Sequence, residues 1–190
     1  MYRAVTLKVL QGGIPLQDDA RIVAAAEAAE IAFLGEGVLP KVLLDGNDVT
    51  EAIRSQEVSA AVSRVSSIAG VRKVMVSLQR SLASAGGVVV DGRDIGTVVL
   101  PHADLKIFMV ADVAERARRR QKDLNDSGLS VDAKNVEQDL ERRDHLDSTR
   151  AVSPLRKAAD AIELDTTRLS FDEQVAWIVE QARALSERKG

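Results

Sequence analysis

Val88-Val89-Val90-Asp91-Gly92-Arg93-Asp94-Ile95-Gly96-Thr97 is the stretch whose reading decides the fold. Three apolar β-branched residues in a row predict a short strand buried on both faces of a parallel sheet. The polar run behind it then lies at the carboxyl end of that sheet, where α/β folds bind ligands. Residues 91–97 crowd three charged side chains and two glycines into seven positions. Arg93 offers a planar fork suited to phosphate. Asp91 and Asp94 can orient that arginine, hold Mg²⁺ or bind a ribose. A solvated turn with an internal salt bridge is the plain alternative, and the place at a strand end favours a site.

Downstream of this stretch, strand and helix alternate. Residues 105–110 read as a strand. Asp112-x-x-Glu115 is a capping box opening a helix to about Leu124, and Asn125, Asp126, Ser127 and Gly128 break it. A second helix is expected over 131–150, stopped by Pro154. A strand over 161–164 follows. Ser170-x-x-Glu173 is a further capping box that opens a last amphipathic helix. Strands spaced by helices imply a parallel sheet covered on both faces. Upstream, a helix over 5–10 ends at Gly12, Gly13 and Pro15, and 18–30 is helical by its alanine content. Residues 31–50 turn to β, with Asp45-Gly46 as a hairpin signal. Apolar residues at 58, 61, 62 and 65 predict a helix that Gly70 closes. Another runs over 71–84 to a left-handed cap at Gly86-Gly87.

Composition narrows the chemistry. The chain has 190 residues, enough for one domain with a small inserted lobe. Charged residues are mixed in sign, 26 basic against 29 acidic, for a net charge of −3. That balance argues against disorder and against a wholly basic nucleic-acid surface. Cysteine is absent, which excludes disulfides, thiolate zinc and thiol nucleophiles. Two histidines, His102 and His145, make a multi-histidine metal site improbable. No apolar run has membrane-spanning length and no secretory leader is seen, so a cytoplasmic protein is expected. Five aromatic residues leave little for stacking recognition.

Two more constellations stand out. Arg143, Asp147 and Arg150, at i, i+4 and i+7, share one helix face. They suit a phosphate clamp with its own carboxylate, although alone they would pass for exposed ion pairs. Arg116, Arg118, Arg119 and Arg120 form a basic helix, with 116, 119 and 120 on one face, before a breaker. Such a hairpin can close over a polyphosphate, or be a basic surface. The phosphate loop G-x-x-x-x-G-K-[ST] occurs nowhere in the sequence.

Together these stretches resemble the bacterial cytidylate kinases. The resemblance rests on Met1-Tyr2-Arg3-Ala4, Asp45-Gly46-x-Asp48-Val49-Thr50-x-x-Ile53-Arg54, Gln56-Glu57-Val58, the VDGRDIGTVV of 90–99, Pro101 and Lys106-Ile107-Phe108. It continues through Glu115-Arg116-Ala117, Arg119-Arg120, Arg150-Ala151-Val152-x-Pro154-Leu155, Asp160-Ala161 and Leu164-Asp165-Thr166-Thr167. The implied fold is that of an α/β P-loop nucleoside monophosphate kinase with a parallel five-stranded core. The core would comprise 1–30 and 86–190, with a lid over about 116–135 and a nucleoside-monophosphate-binding insert over 31–85. The implied reaction phosphorylates CMP and dCMP from ATP with Mg²⁺, in a monomer that binds neither nucleic acid nor membrane.

Residue by residue, the resemblance assigns Tyr2 and Arg3 to the start of the acceptor site and Ser63 and Arg72 to its base and phosphate contacts. Arg93 and Asp94 become the cytosine-recognising pair, with Asp91 beside them. Arg143 and Arg150 are phosphate-binding and catalytic arginines, Asp147 binds the pentose, and Arg119 is a catalytic arginine of the lid. No residue is assigned to a metal. The departure lies before Met1. Family members carry a first strand and the phosphate loop there, so an N-terminally truncated chain, inactive alone, is expected. A non-catalytic nucleotide-binding remnant or a fragment of a fusion protein is the alternative.

Overall fold

The computed structural model describes residues 1–35, 40–126, 128 and 130–189. Ser127 of the expected breaker, and part of the expected lid with it, lies outside them. Contacts divide the chain into two compact units, Met1–Val88 and Val89–Gly190. Residues 1–30 lie in the same unit as 31–85.

In the first unit, α1 (Tyr2–Gln11) packs on α3 (Gln56–Ser67), and α2 (Asp19–Glu27) packs on α4 (Ala69–Ala83). Local chemistry starts two of these helices. The Asp18 side chain accepts the Arg21 N–H at 3.1 Å, and Ser55 accepts the Val58 N–H at 3.3 Å. Their apolar faces meet in a core where Val5, Val9, Ile22, Val58, Val65, Val71 and Met75 are fully buried. An antiparallel sheet of β1 (Ile31–Leu34), β2 (Lys41–Leu44) and β3 (Asn47–Asp48) flanks it. Asp45 and Gly46 close the tight β2–β3 turn with φ of 50° and 80°. Both central residues thus have the positive φ that a right-twisted hairpin needs, as the Asp-Gly pair predicts.

Gly70 has a different task from the one expected. It sits inside the first turn of α4 and caps nothing. A Cβ there would lie 2.6 Å from a methyl of Val23 on α2. The glycine lets two helices approach, and a contact with a distant helix leaves no local mark in the sequence.

In the second unit, β4 (Ile107–Val110) and β5 (Ile162–Asp165) pair in parallel, Ile107 against Ile162 through Val110 against Asp165. Between them the chain forms α5 (Val113–Asp126) and α6 (Ala133–Thr149), which pack on each other. The crossover and parallel pairing follow the predicted alternation. After β5, α7 (Phe171–Lys189) opens with the expected reciprocal cap. Glu173 accepts the Ser170 N–H at 2.8 Å and Ser170 Oγ accepts the Glu173 N–H at 3.3 Å. The box at Asp112 is only half formed. Asp112 Oδ1 accepts the Ala114 N–H at 2.8 Å, but Glu115 turns to Arg118 and Arg119 instead of back to residue 112. Thr167 Oγ1 takes the Asp112 N–H at 2.9 Å.

The main correction concerns residues 88–90. They form no strand, and Val89 is 99% exposed. Three apolar residues become a strand only where a neighbour offers a ladder. Among the described residues, β4 pairs with β5 and with nothing else. The parallel sheet of these residues therefore has two strands, where the resemblance implied five.

Candidate functional site

The 91–97 stretch is organised by a wide helical turn instead of a strand end. Ile95–Val99 forms a single π-turn, a form that recurs at functional sites. The Asp94 carbonyl accepts from both Val98 N at 2.9 Å and Val99 N at 3.2 Å. This turn buries the Asp94 side chain and leaves Arg93 and Asp91 exposed.

The helix-face triad joins it. Arg93 Nε lies 3.2 Å from Asp147 Oδ2, and Arg150 Nη1 lies 3.2 Å from Asp147 Oδ1. Asp147 therefore holds one arginine on each oxygen. Arg150 Nη2 is 3.8 Å from Asp94 Oδ1. Its Nε donates to the Ser153 carbonyl at 2.6 Å, across a turn in which Ser153 takes a left-handed φ of 51°. Arg150 is thus gripped on two sides by carboxylates and on a third by backbone. Arg143, one turn away on α6, is half-buried and makes no hydrogen bond or ion pair among the described residues. The cluster pairs oriented guanidinium groups with a spare cation, which is the chemistry that receives a phosphate dianion.

Beside the cluster lies a cleft of about 600 Å³, lined by Arg93, Arg116, Arg119, Asp144 and all four residues of β4 among others. The arginines of α5 do not act as one patch. Arg116 is paired with Asp144 of α6, its second contact at 3.1 Å. Arg118 and Arg119 share Glu115, at 2.7 and 2.8 Å. Their hydrogen bonds, Arg118's first, hold the Glu115 carboxyl down to about 2. Arg119 also donates to the carbonyls of Thr166 at 2.6 Å and Leu169 at 3.3 Å. Its guanidinium ties α5 to the turn after β5. Arg120 makes no such contact among the described residues.

In the first unit, Arg72 is 2% exposed and stacks over the Tyr2 ring, 5.4 Å from its centre. Its Nη1 donates to the Ser66 carbonyl at 3.1 Å. Arg3 donates to the Ile53 carbonyl at 2.9 Å and to Ser59 Oγ at 3.0 Å. Ser63 is half-buried on α3. Tyr2 and Arg72 are thus brought together, and Arg3 is directed to the 52–54 turn.

The sequence reading did not find the Lys106–Asp160 and Arg116–Asp144 pairs. A lysine within the apolar run 105–110 was the available signal for the first. No group of three or more His, Cys, Asp or Glu stands ready to hold a metal ion among the described residues. No helix among them is long and apolar enough to cross a membrane.

The profile of the cytidylate kinase family matches residues 1–184. A cytidylate kinase of Pediococcus pentosaceus is 47% identical over 189 residues, covering 100% of this chain and 84% of its own. One of Enterococcus faecalis is 50% identical over 178 residues, 94% of this chain and 79% of its own. One of Desulforamulus reducens is 50% identical over 179 residues, 94% and 80%.

Proposed function

Because the chain belongs to the cytidylate kinase family, and is a phosphotransferase by that membership, we propose that its reaction is transfer of the γ-phosphoryl group of ATP onto CMP or dCMP, giving CDP or dCDP, with its residues supplying the acceptor side and the chain inactive alone because its sequence holds no phosphate loop. The observation that carries this reading is the cluster in which Asp147 spans Arg93 and Arg150 while Arg143 stays unpaired. A nucleoside monophosphate offers a dianion and hydroxyl groups. Arg143 supplies the uncommitted charge for the phosphate, and Arg150 a second, pre-oriented one. Arg93 and Asp94 present a donor fork beside an acceptor, which suits the polar edge of cytosine. Asp147 retains lone pairs for a pentose hydroxyl, and Asp91 flanks the pair from the exposed side. In the first unit, Tyr2 and Arg3 are proposed at the start of the acceptor site, and Ser63 and Arg72 as its base and phosphate contacts. Residues 31–85 are read as the acceptor-binding insert to a core of 1–30 and 86–190, and about 116–135 as the lid.

Phosphoryl transfer asks the protein mainly for positioning and for cations where charge develops. Arg143 and Arg150 meet the second need. Arg119 meets the first, since its bonds to the Thr166 and Leu169 carbonyls set where α5 stands. Mg²⁺ is expected to enter on the phosphates of ATP, its usual mode. A cytoplasmic monomer is the expected setting.

Titrating the chain calorimetrically with CMP, dCMP, UMP, AMP and GMP tests the acceptor assignment, and a coupled assay of ADP release tests transfer. CMP and dCMP are expected to bind most tightly. Arg93→Ala should weaken CMP binding. Preference for a purine monophosphate, or unchanged CMP affinity in Arg93→Ala, would overturn the reading.

A further inference from the structure

Lys106 is a buried cation with no part in the proposed chemistry. It opens the Lys106-Ile107-Phe108 string, at a position where a sheet would take an apolar residue. Only 9% of it is exposed. Its ammonium spends its three donors on fixed acceptors. Two go to the oxygens of Asp160, at 2.7 and 2.9 Å, and one to the Pro101 carbonyl. Asp160 lies 54 residues away, just before β5. The Lys106 carbonyl meanwhile accepts the Ile162 N–H at 2.9 Å, one step outside the β4–β5 ladder.

The stem of this lysine is used as well. It runs beneath Gly96, where a Cβ would stand 3.3 Å from Lys106 Cδ and 3.7 Å from Ala158. Gly96 belongs to the π-turn whose first carbonyl is that of Asp94. Lys106 therefore touches the 95–101 segment at two places, by packing at Gly96 within the turn and by a hydrogen bond to Pro101 two residues past its end. Arg93 and Asp94 stand immediately before that turn. A methionine or leucine would fill the same volume, but it would leave the Pro101 carbonyl without this donor and Asp160 unattached.

We propose that Lys106, clamped by Asp160, is a positioning residue for nucleotide recognition. It holds the 95–101 turn against the first residues of β4 and β5, and so sets where Arg93 and Asp94 meet Asp147 and Arg150. This rests on the CMP reading above. Asp160 is the sensitive half of the clamp. Its side chain is 65% exposed, so burial alone does not hold it, and its bonds to Lys106 are what lower its carboxyl below the ordinary value.

The test is calorimetric titration of the full chain with CMP, with thermal unfolding recorded for every variant. Lys106→Met should weaken CMP by at least about tenfold, since small misplacements at a site are costly. Asp160→Asn, at an exposed side chain, should weaken CMP in the same direction by a smaller factor. A cycle with Arg93→Lys separates positioning from general support. If Lys106 acts through Arg93, the double variant loses much less than the product of the single losses. Independent, multiplying losses, or unchanged CMP affinity in a folded Lys106→Met, would overturn the proposal. Should Lys106→Met fail to fold, Asp160→Asn and its own cycle with Arg93→Lys decide. Wild-type chain that ignores CMP would instead remove the functional reading, and the role of Lys106 with it.

Discussion

A single missing methyl group separates α2 from α4. Gly70→Ala would set a Cβ 2.6 Å from one Val23 methyl and 3.1 Å from the other. Valine has one strongly preferred rotamer in a helix and cannot swing aside cheaply. Overpacking costs about 1–3 kcal/mol, and the gain in helix propensity is at most about 1 kcal/mol. Urea unfolding should therefore show net destabilisation, and an unchanged midpoint would mean that the helices can slide apart freely. Glu115 gives a second residue-level test. Its carboxyl titrates near 2 in the fold against 4.5 as its ordinary value. A depressed carboxyl stabilises the fold above the unfolded pKa, and that contribution fades as pH falls from about 4.5 towards 2. The gap in stability between wild type and Glu115→Gln should be level above pH 5 and close on acidification. A gap that widens in acid would contradict the ion-pair geometry.

At the scale of elements, α5 is moored at its start and middle to the turn following β5. Thr167 receives the Asp112 N–H, and Arg119 reaches the Thr166 and Leu169 carbonyls. Arg119→Met removes charged donors from those carbonyls and should cost about 1.5–3 kcal/mol in urea unfolding. Arg119→Lys should recover only part, because an ammonium cannot span two carbonyls and Glu115 as a fork does. Full recovery would show that charge alone matters. Elements were legible wherever their cause is local. The Asp45-Gly46 turn, the Ser170–Glu173 cap and the helix spacing of 58–65 all carry their reason within a few residues. The 88–90 strand was misread because its existence depends on a partner elsewhere. Gly70 was misread because its partner, Val23, lies on another helix. The site divides the same way. The i, i+4, i+7 spacing announced Arg143 and Asp147 on α6 and Arg150, which the structure places just past its end in extended backbone, but only the resemblance tied them to Arg93 and Asp94. The closing of Arg116 on Asp144 had no local signature at all.

At the scale of the molecule, the chain is two units joined near Val88 and Val89. Gly86 and Gly87 both take positive φ there, at 73° and 65°, and no strand follows. Exposed, irregular backbone between compact units is where proteases cut first. Brief digestion with elastase should cleave beside Val88 or Val89 and yield two fragments of similar mass by mass spectrometry. First cleavage inside α3 or α6 would argue against the division. The Asp45-Gly46 turn, finally, bears on how the molecule ages. Among aspartyl peptides, Asp-Gly is the most prone to cyclise and reopen as isoaspartate, because a following residue without a side chain lets its backbone nitrogen reach the side-chain carboxyl. Here one carboxylate oxygen is held by Lys8 at 2.6 Å and the other by the Glu30 N–H at 3.0 Å. Those bonds, Lys8's first, keep the acid ionised and so a poor target for attack. Folded protein in storage should keep Asp45 intact, while unfolded chain loses it, so isoaspartate at this position records how long a molecule has spent unfolded.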